Sequence, residues 1–303
     1  MEYSFDDYVK SIIYYTRGEY VEEILSSRMQ TYYAIYIVRT NKNAYVIKLF
    51  TEDNKGSIEE NALYYLRKAS FIKVPKVYNV YEKSEEIPYS AVIMEKISDG
   101  NILSRIPLHL TDTIIEDMVT NIIYKDKDYD IGSFGEIGRE KYATWQEYYK
   151  LRALEDTKKA KTLLINGKIP VETYLEVMNL YYNFDDIFSE KIERATLIHG
   201  NYSIDNIFFN KNGLAVALIN PHIAMYGDSE YETISLDKRK NKGLDILEEY
   251  KKRVPLSSNF NEKYNFYYLY DIIERNYSVL ETHLRSNRPS RKDKKIIKKY
   301  RYE

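Results

Sequence analysis

The chain has 303 residues, of which 44% are apolar and 30% are charged, and its formal net charge is −1. This composition is typical of a soluble globular protein that is long enough for two lobes. Cysteine is absent, which excludes disulfides, thiolate metal sites and a cysteine nucleophile. No apolar run approaches the roughly 18–20 residues that span a bilayer, and the first residues lack the pattern of a signal peptide, so we expect a cytoplasmic protein.

The first 97 residues predict a small N-terminal lobe. Apolar residues at helical spacing, among them Ile12, Ile13, Val21 and Ile24, predict helical structure within residues 1–25. The run of strand, strand, helix, strand and strand that follows is typical of an α+β lobe. These predicted elements are a hairpin of strands at 31–40 and 44–50, a helix at 57–70, and strands at 74–81 and 90–97.

From residue 98 onward the pattern is mostly helical, with one β-rich island at about residues 197–220. We therefore predict an α+β fold with an N-terminal lobe at residues 1–97 and a larger helical lobe at residues 98–303. The predicted helices cover about residues 108–125, 140–165, 170–183, 185–193, 236–254 and 262–286.

The last segment of the chain, residues 285–303, is strongly basic and holds nine Lys or Arg against two acidic residues. Such a segment is suited to an anionic partner such as nucleic acid. A solvated terminal helix or a frayed end is the commoner explanation of the same pattern.

A lysine inside an apolar strand, Lys48 in YVIKLF, requires an explanation, because a buried ammonium group without a partner is costly. On an edge strand it would extend its charge to solvent. However, the acidic helix that follows offers Glu59 and Glu60 as partners. A strand lysine paired with a helix glutamate is the device that holds the α- and β-phosphates in protein-kinase-like folds.

The stretch HGNYSIDN, from His199 to Asn206, has the spacing of a kinase catalytic loop. Asn206 stands at the position that holds Mg²⁺, but Asn201 stands where an aspartate accepts the proton of the substrate hydroxyl. A short apolar strand then ends at Asn220, where the principal Mg²⁺-binding aspartate would be expected.

The order of these motifs resembles the fructosamine kinase and aminoglycoside phosphotransferase family. That family has HGD followed by Asn, then a strand ending in DP, then a YGD stretch; this chain has HGNYSIDN, INP and YGDSEYE. The resemblance extends over about residues 15–285. It implies a bilobal protein-kinase-like fold whose N-terminal lobe binds nucleotide, ATP with Mg²⁺ as cofactor, and a small-molecule amine or sugar as acceptor.

The same resemblance assigns further positions. It implies that Ser26 and Ser27 lie in the nucleotide loop, near SSRMQ, and that Met94 and Glu95 belong to the hinge-like segment VIMEKI. It also implies that Glu59 rather than Glu60 is the partner of the strand lysine, and that His199 is a structural residue that braces the catalytic loop.

The departures from the family pattern bear on activity. The side-chain amide of Asn201 is a very poor base, and Asn220 offers Mg²⁺ only a neutral oxygen, so we expect weak metal binding. Asp205 and Asp228 are the acids near enough in the sequence to substitute for the missing carboxylates, although ordinary solvated loop acids are the commoner explanation of such residues. In addition, Glu232 replaces the final aspartate of the family motif.

Three functional hypotheses follow. The first is a degenerate, pseudokinase-like protein that keeps an ATP-type cleft but transfers phosphate poorly or not at all. The second is an active ATP-dependent phosphotransferase that acts on a sugar amine or glycated amine with unusual metal ligation. The third is a nucleic-acid-associated protein that uses the basic segment at residues 285–303.

Overall fold

The computed structural model describes residues 4–29, 33–98, 100–102, 111–123, 133–221, 223–237 and 246–286. The chain divides into two compact units, called here unit one and unit two. Most of the basic segment lies outside the described residues, which end at Ser286. Within the described part of the chain, no helix is both long and apolar enough to cross a membrane. Unit one comprises Met1–Lys141 and Arg194–Pro255, and unit two comprises Tyr142–Glu193 and Leu256–Glu303.

The N-terminal part of unit one is a five-stranded antiparallel sheet with two helices. The strand order is β1-β2-β3-β5-β4, and each pair of neighbouring strands is antiparallel. The predicted hairpin, the helix after it and the two later strands are all present. In chain order the elements are α1 (Phe5–Arg17), β1 (Val21–Met29), β2 (Tyr33–Thr40), β3 (Ala44–Phe50), α2 (Lys55–Ala69), β4 (Val77–Tyr81) and β5 (Ser90–Glu95).

The helical prediction for the end of the segment 1–25 is wrong, because α1 ends before β1 begins at Val21. Gly18 terminates the helix in the left-handed conformation (φ 62°), and its N–H donates to the carbonyl of Tyr14. The register of β1 on β2 shifts twice, after Val21 and after Ile24. These irregularities interrupt the alternation by which a strand is recognised, so the apolar residues of β1 imitate helical spacing.

The two faces of the sheet carry different side chains. Alternate residues of β3, Tyr45, Ile47 and Leu49, pack in one apolar core with Ile12 and Ile13 of α1. Since successive strand residues point to opposite faces, Lys48 projects from the other face. That face is the one on which the candidate site is built.

Beyond residue 100 the described chain is mostly helical, as predicted. Unit one contains two further small sheets, of order β6-β10-β7 and β8-β9. The elements are α3 (Thr111–Glu116), which continues as a π-helix (Asp117–Ile123), then β6 (Gly135–Glu136), α4 (Trp145–Ile165), α5 (Val171–Tyr182), α6 (Phe184–Ile187), β7 (Thr196–Ile198), β8 (Ile207–Phe209), β9 (Ala215–Leu218), β10 (Met225–Gly227), α7 (Thr233–Asp237), α8 (Ile246–Lys251) and α9 (Phe260–Ser286).

Two of the predicted helices differ from the structure. The helix predicted at 185–193 is wrong over most of its length, because α6 ends at Ile187. The ring of the next residue, Phe188, is buried and lies 5.3 Å from the ring of Phe266 in α9. The side-chain amide of Gln146 in α4 donates to the carbonyls of Phe188 and Glu190, so tertiary contacts take the chain out of the helix. The helix predicted at 236–254 is represented by α7 and α8, which are separated by residues outside the described set.

The core of unit two is aromatic and lies where α4 and α9 pack together. The Trp145 indole is fully buried and stacks on Tyr149 at 5.0 Å with an interplanar angle of 13°. Its Nε1–H donates to the hydroxyl of Tyr267 at 2.8 Å. Such stacking combines a large apolar area with a satisfied polar group, which explains part of the tyrosine abundance of this chain.

A charged cluster links α4 and α9 within unit two. The Lys159 ammonium group contacts both the Asp156 carboxylate, at 2.8 Å, and the Glu274 carboxylate. Burial raises the pKa of Asp156 to about 6, and Glu274 adds to this rise, whereas Arg152 and Lys159 oppose it. Burial raises the pKa of Tyr270 on α9, and the charge of Asp156 adds to this rise. Asp156 is therefore a carboxyl group whose buried surroundings disfavour its charged form.

We expect Asp156→Asn to change how stability depends on pH. The folded-state pKa of about 6 lies above the ordinary value of about 3.9, so the folded state holds the extra proton between these values. The contribution of Asp156 to the stability of the wild type should therefore fall as pH rises from about 4 to 6. The variant has no carboxyl group at position 156. Its free energy of unfolding should therefore rise relative to that of the wild type by about 2 kcal/mol between pH 4 and pH 7.

Urea unfolding at several pH values checks this expectation. Asp186→Asn is a suitable control, because it removes an exposed carboxylate of the same unit. A difference between Asp156→Asn and the wild type that stays constant from pH 4 to 7 would contradict the prediction.

Candidate functional site

The buried lysine of β3 is paired with a glutamate of α2. Lys48 is 4% exposed, and its Nζ donates to Oε1 of Glu59, while Glu60 is exposed. The Lys48 ammonium group also lies 5.2 Å from the centre of the Tyr33 ring. The side chain of Lys48 thus has an opposite charge and an aromatic face beside it, and does not extend to solvent.

The position of α2 depends on a glycine in its first turn. A Cβ at Gly56 would lie 2.8 Å from the backbone oxygen of Ala91 in β5, closer than real contacts allow. Glycine therefore permits the helix to approach the sheet closely, which places Glu59 one turn later within reach of Lys48.

The loop that follows β7 is shaped by a second glycine. Gly200 has φ +73°, and a Cβ there would lie 2.6 Å from the carbonyl oxygen of Ile223. The backbone N–H groups of Gly200 and Tyr202 both donate to the carboxylate of Glu232, at 2.9 and 3.0 Å. Glu232 is 1% exposed, so this loop is held by a buried carboxylate with two backbone donors. Each oxygen of Glu232 serves one donor, Oε2 that of Gly200 and Oε1 that of Tyr202.

His199, which was predicted to brace this loop, is fully buried at its start. Its ring lies edge-on to the ring of Tyr202, with centroids 5.7 Å apart and an interplanar angle of 75°. The location of His199 is consistent with a packing role and places it next to the backbone that Glu232 holds.

A residue that the sequence patterns did not indicate, Asp117, connects this loop to the end of α2. The buried carboxylate of Asp117 accepts from Ser70 Oγ and Phe71 N, both at 2.7 Å, and from the hydroxyl of Tyr202 at 3.2 Å. Burial raises the pKa of Asp117, while its hydrogen bonds with Ser70 and Phe71 lower it. The contact joins residues 46 to 85 positions apart, so no local pattern signals it.

The three asparagines of the predicted catalytic centre lie together. Nδ2 of Asn206 donates to the backbone oxygen of Asn201 at 2.8 Å, and Nδ2 of Asn220 lies 3.4 Å from Oδ1 of Asn206. The N–H of Ile219 donates to the carbonyl of Asn206 at 2.9 Å, which fixes the end of the β9 segment against the loop. Asn220 has φ 57°, a left-handed conformation that asparagine adopts more readily than most residues.

The two acids proposed as compensating groups are placed differently. Asp228 is 3% exposed, and its Oδ1 accepts from the N–H of Glu230 at 3.0 Å, so it caps the 3₁₀ turn Ser229–Glu232. Asp205 is half-buried in the 3₁₀ turn Ile204–Asn206, directly beside Asn206.

The remaining predicted nucleotide contacts lie in the five-stranded sheet. Ser26 and Ser27 are exposed residues of β1, paired with β2, so the backbone predicted as a loop near SSRMQ is strand as far as Met29. Met94 and Glu95 end β5, and Met94 is 5% exposed. The Glu95 carboxylate contacts Lys73 and accepts from the N–H of Lys76 at 3.3 Å.

The residues at the predicted metal position do not fit Mg²⁺. This ion favours carboxylate and phosphate oxygens in octahedral arrangement, but Asn206 and Asn220 supply only neutral amides. The amide group of Asn220 donates to the oxygen of Asn206 that would be a metal ligand. Among the described residues no group of three or more His, Cys, Asp or Glu is arranged to hold a metal ion.

Solved structures share the arrangement of this chain. A candidate fructosamine-3-kinase from Haemophilus somnus 129PT is 15% identical, with a TM-score of 0.66 over 96% of this chain and 94% of that protein. A second candidate fructosamine-3-kinase, from Thermobifida fusca YX-ER1, is 17% identical, with a TM-score of 0.62 over 92% and 99%. A thermostable mutant of aminoglycoside phosphotransferase APH(4)-Ia in its apo form is 17% identical, with a TM-score of 0.63 over 89% and 91%.

These similarities confirm the predicted α+β, protein-kinase-like fold, with its antiparallel N-terminal sheet and mostly helical C-terminal part. No curated protein matches the chain. Residues 122–290 match the family described as fructosamine kinase, and this match covers more than half of the sequence. The chain therefore belongs to the fructosamine kinase family.

Proposed function

We propose that this member of the fructosamine kinase family binds ATP or ADP and transfers phosphate poorly or not at all. The observation that carries the proposal is the contrast between two groups of residues at the predicted site positions. The Lys48–Glu59 pair is intact and nearly buried, whereas the base and metal positions hold the amides of Asn201 and Asn220.

The nucleotide half of the proposal rests on the lysine. Lys48 sits in a strand core with 4% exposure, which is unfavourable for a charge unless a partner offsets it. Glu59 supplies the opposite charge and orients the ammonium group. In protein-kinase-like folds a lysine so held meets the α- and β-phosphates of the nucleotide. In keeping with this, one structure of a thermostable APH(4)-Ia mutant is a ternary complex with ADP and hygromycin B.

The proposed impairment of phosphate transfer rests on the missing carboxylates. A side-chain amide cannot accept a proton near neutral pH, so Asn201 cannot act as a general base. Asp228, one of the two acids that were considered as substitutes, caps a 3₁₀ turn. The amides at the metal position lower the attraction for a divalent cation. Both losses act on the transfer step.

The alternative is an active phosphotransferase that acts on a small-molecule amine or sugar. The intact Lys48–Glu59 pair favours it, because phosphoryl transfer depends chiefly on positioning and electrostatic stabilisation. It requires ordinary ATP turnover by the unaltered chain, which separates it from our proposal.

Nucleotide binding is tested by thermal unfolding with millimolar ATP or ADP. A ligand that binds only the folded state raises the melting temperature, and a concentration of 100 times Kd stabilises by about 2.7 kcal/mol. We expect the wild type and Glu60→Gln to show this rise. Glu59→Gln and Lys48→Met should bind nucleotide about 10-fold more weakly or worse, because each loses a charge of the buried pair.

Glu60→Gln is a matched control, because it changes the neighbouring, exposed residue of the same helix turn. No rise in melting temperature for the wild type at millimolar nucleotide would overturn the proposal. An equal rise in the wild type and Lys48→Met would remove Lys48 from the binding site.

A further inference from the structure

The orientation of the amides at the predicted metal position is determined by their surroundings. Nδ2 of Asn206 donates to the carbonyl oxygen of Asn201, an atom that can only accept. Oδ1 of Asn206 therefore faces Asn220. Since two acceptors would repel each other, the atom of Asn220 that lies 3.4 Å from this oxygen is the donor Nδ2.

This arrangement reverses the usual electrostatics of a metal site. Where two ligand oxygens would converge on a cation, here an N–H of Asn220 points at the ligand oxygen of Asn206. The positive end of the N–H dipole satisfies the oxygen that a cation would otherwise satisfy. An aspartate at position 220 would instead place a negative oxygen beside Asn206, and that pair of oxygens would need a cation between them.

Three carboxylates of the motifs discussed above are already engaged. Glu59 is paired with Lys48, and Glu232 accepts from two backbone N–H groups. Asp228 accepts from the N–H of Glu230. Their contacts hold the strand lysine, the loop after β7 and the 3₁₀ turn.

We propose that this site binds a nucleoside di- or triphosphate without a divalent cation, with the phosphates facing the ammonium group of Lys48 and the amide of Asn220. The proposal rests on the nucleotide binding proposed above and adds the charge state of the ligand: the free nucleotide is bound, and the metal complex is not preferred. Lys48 supplies the positive charge and Asn220 supplies a neutral donor.

The affinity for ADP and ATP is measured by calorimetry on the full chain, in excess EDTA and then in excess MgCl₂. For the wild type we expect the Kd in EDTA to equal that in MgCl₂ within about 3-fold, or to be lower. For Asn220→Asp we expect binding about 10-fold weaker in EDTA and recovery in MgCl₂, because the new carboxylate repels phosphate and attracts the cation.

A control variant and measurements on the wild type keep the test valid if Asn220→Asp folds poorly. Asn212→Asp is a matched control, since it makes the same change at an exposed position between β8 and β9 and should behave as the wild type. Mn²⁺ followed by electron paramagnetic resonance in the absence of nucleotide should show no protein-bound ion in the wild type. The comparison of EDTA and MgCl₂ on the wild type alone decides the proposal if Asn220→Asp does not fold.

The outcomes are distinguishable. Binding in EDTA as tight as in MgCl₂ supports the inference. Binding by the wild type only when MgCl₂ is present overturns this inference and leaves the proposed nucleotide binding intact. Binding in neither condition overturns both.

Discussion

ATP turnover in the presence of Mg²⁺ is expected to rise by about 10²- to 10⁴-fold when Asn201 and Asn220 are both replaced by aspartate. The first substitution places a carboxylate where the proton of the attacking hydroxyl or water must go. The second provides a charged ligand for Mg²⁺ beside Asn206, whose Oδ1 already faces position 220. The Lys48–Glu59 pair needs no alteration.

Phosphate release from ATP is a suitable measurement because it requires no knowledge of the acceptor. The single variants should gain less than the double variant, since the base and the metal act on the same transfer step. Asn212→Asp controls for added negative charge. Strong turnover by the unaltered chain would overturn the proposed impairment, whereas absence of any gain in a folded double variant would show that other features limit transfer.

The largest loss of stability is expected for Glu232→Ala. The carboxylate of Glu232 is the acceptor for the backbone N–H groups of Gly200 and Tyr202, and it is 1% exposed. Removing it leaves two buried donors without this partner, at about 1–3 kcal/mol each. We expect the free energy of unfolding to fall by about 2–6 kcal/mol.

Urea unfolding of the wild type and the variant measures this loss. Glu193→Ala is a control for the removal of an acid, because Glu193 is an exposed residue with a surface ion pair to Lys191, and it should change stability by less than about 0.5 kcal/mol. A decrease below about 1 kcal/mol for Glu232→Ala would mean that water or another residue replaces the carboxylate at low cost. If the variant folds, nucleotide affinity should also fall, because the loop that carries Asn201 loses its support.

How well an element could be predicted from the sequence depends on how regular its pattern is and on how local its contacts are. The hairpin of β2 and β3, the helix α2 and the strands β4 and β5 were predictable, because their apolar patterns are regular and their turns are local. The strand β1 was not, because two shifts of register break its alternation. The short helix α6 was predicted too long, since the carbonyls of Phe188 and Glu190 accept from Gln146 of α4, a contact between residues more than 40 positions apart.

In the candidate site, too, the spacing of neighbouring residues could be predicted from the sequence, and contacts between distant residues could not. The spacing of His199, Asn201 and Asn206, and the strand that ends at Asn220, are properties of consecutive residues and can be read directly. The contact of Asp117 with Tyr202 cannot, because it joins residues 85 positions apart and depends on the path of the chain between them.

The sequence by itself determined the family, the order of the motifs and the chemical identity of the groups at the centre. These are covalent facts, and an amide in place of a carboxylate changes proton and metal chemistry in any conformation. Only the tertiary structure decided that Lys48 is paired with Glu59, that Glu232 holds the loop, and that the amide of Asn220 faces the oxygen of Asn206. The direction of a side chain depends on neighbours that are distant in sequence. This direction distinguishes a weakened metal site from a site in which an N–H group takes the place of the metal.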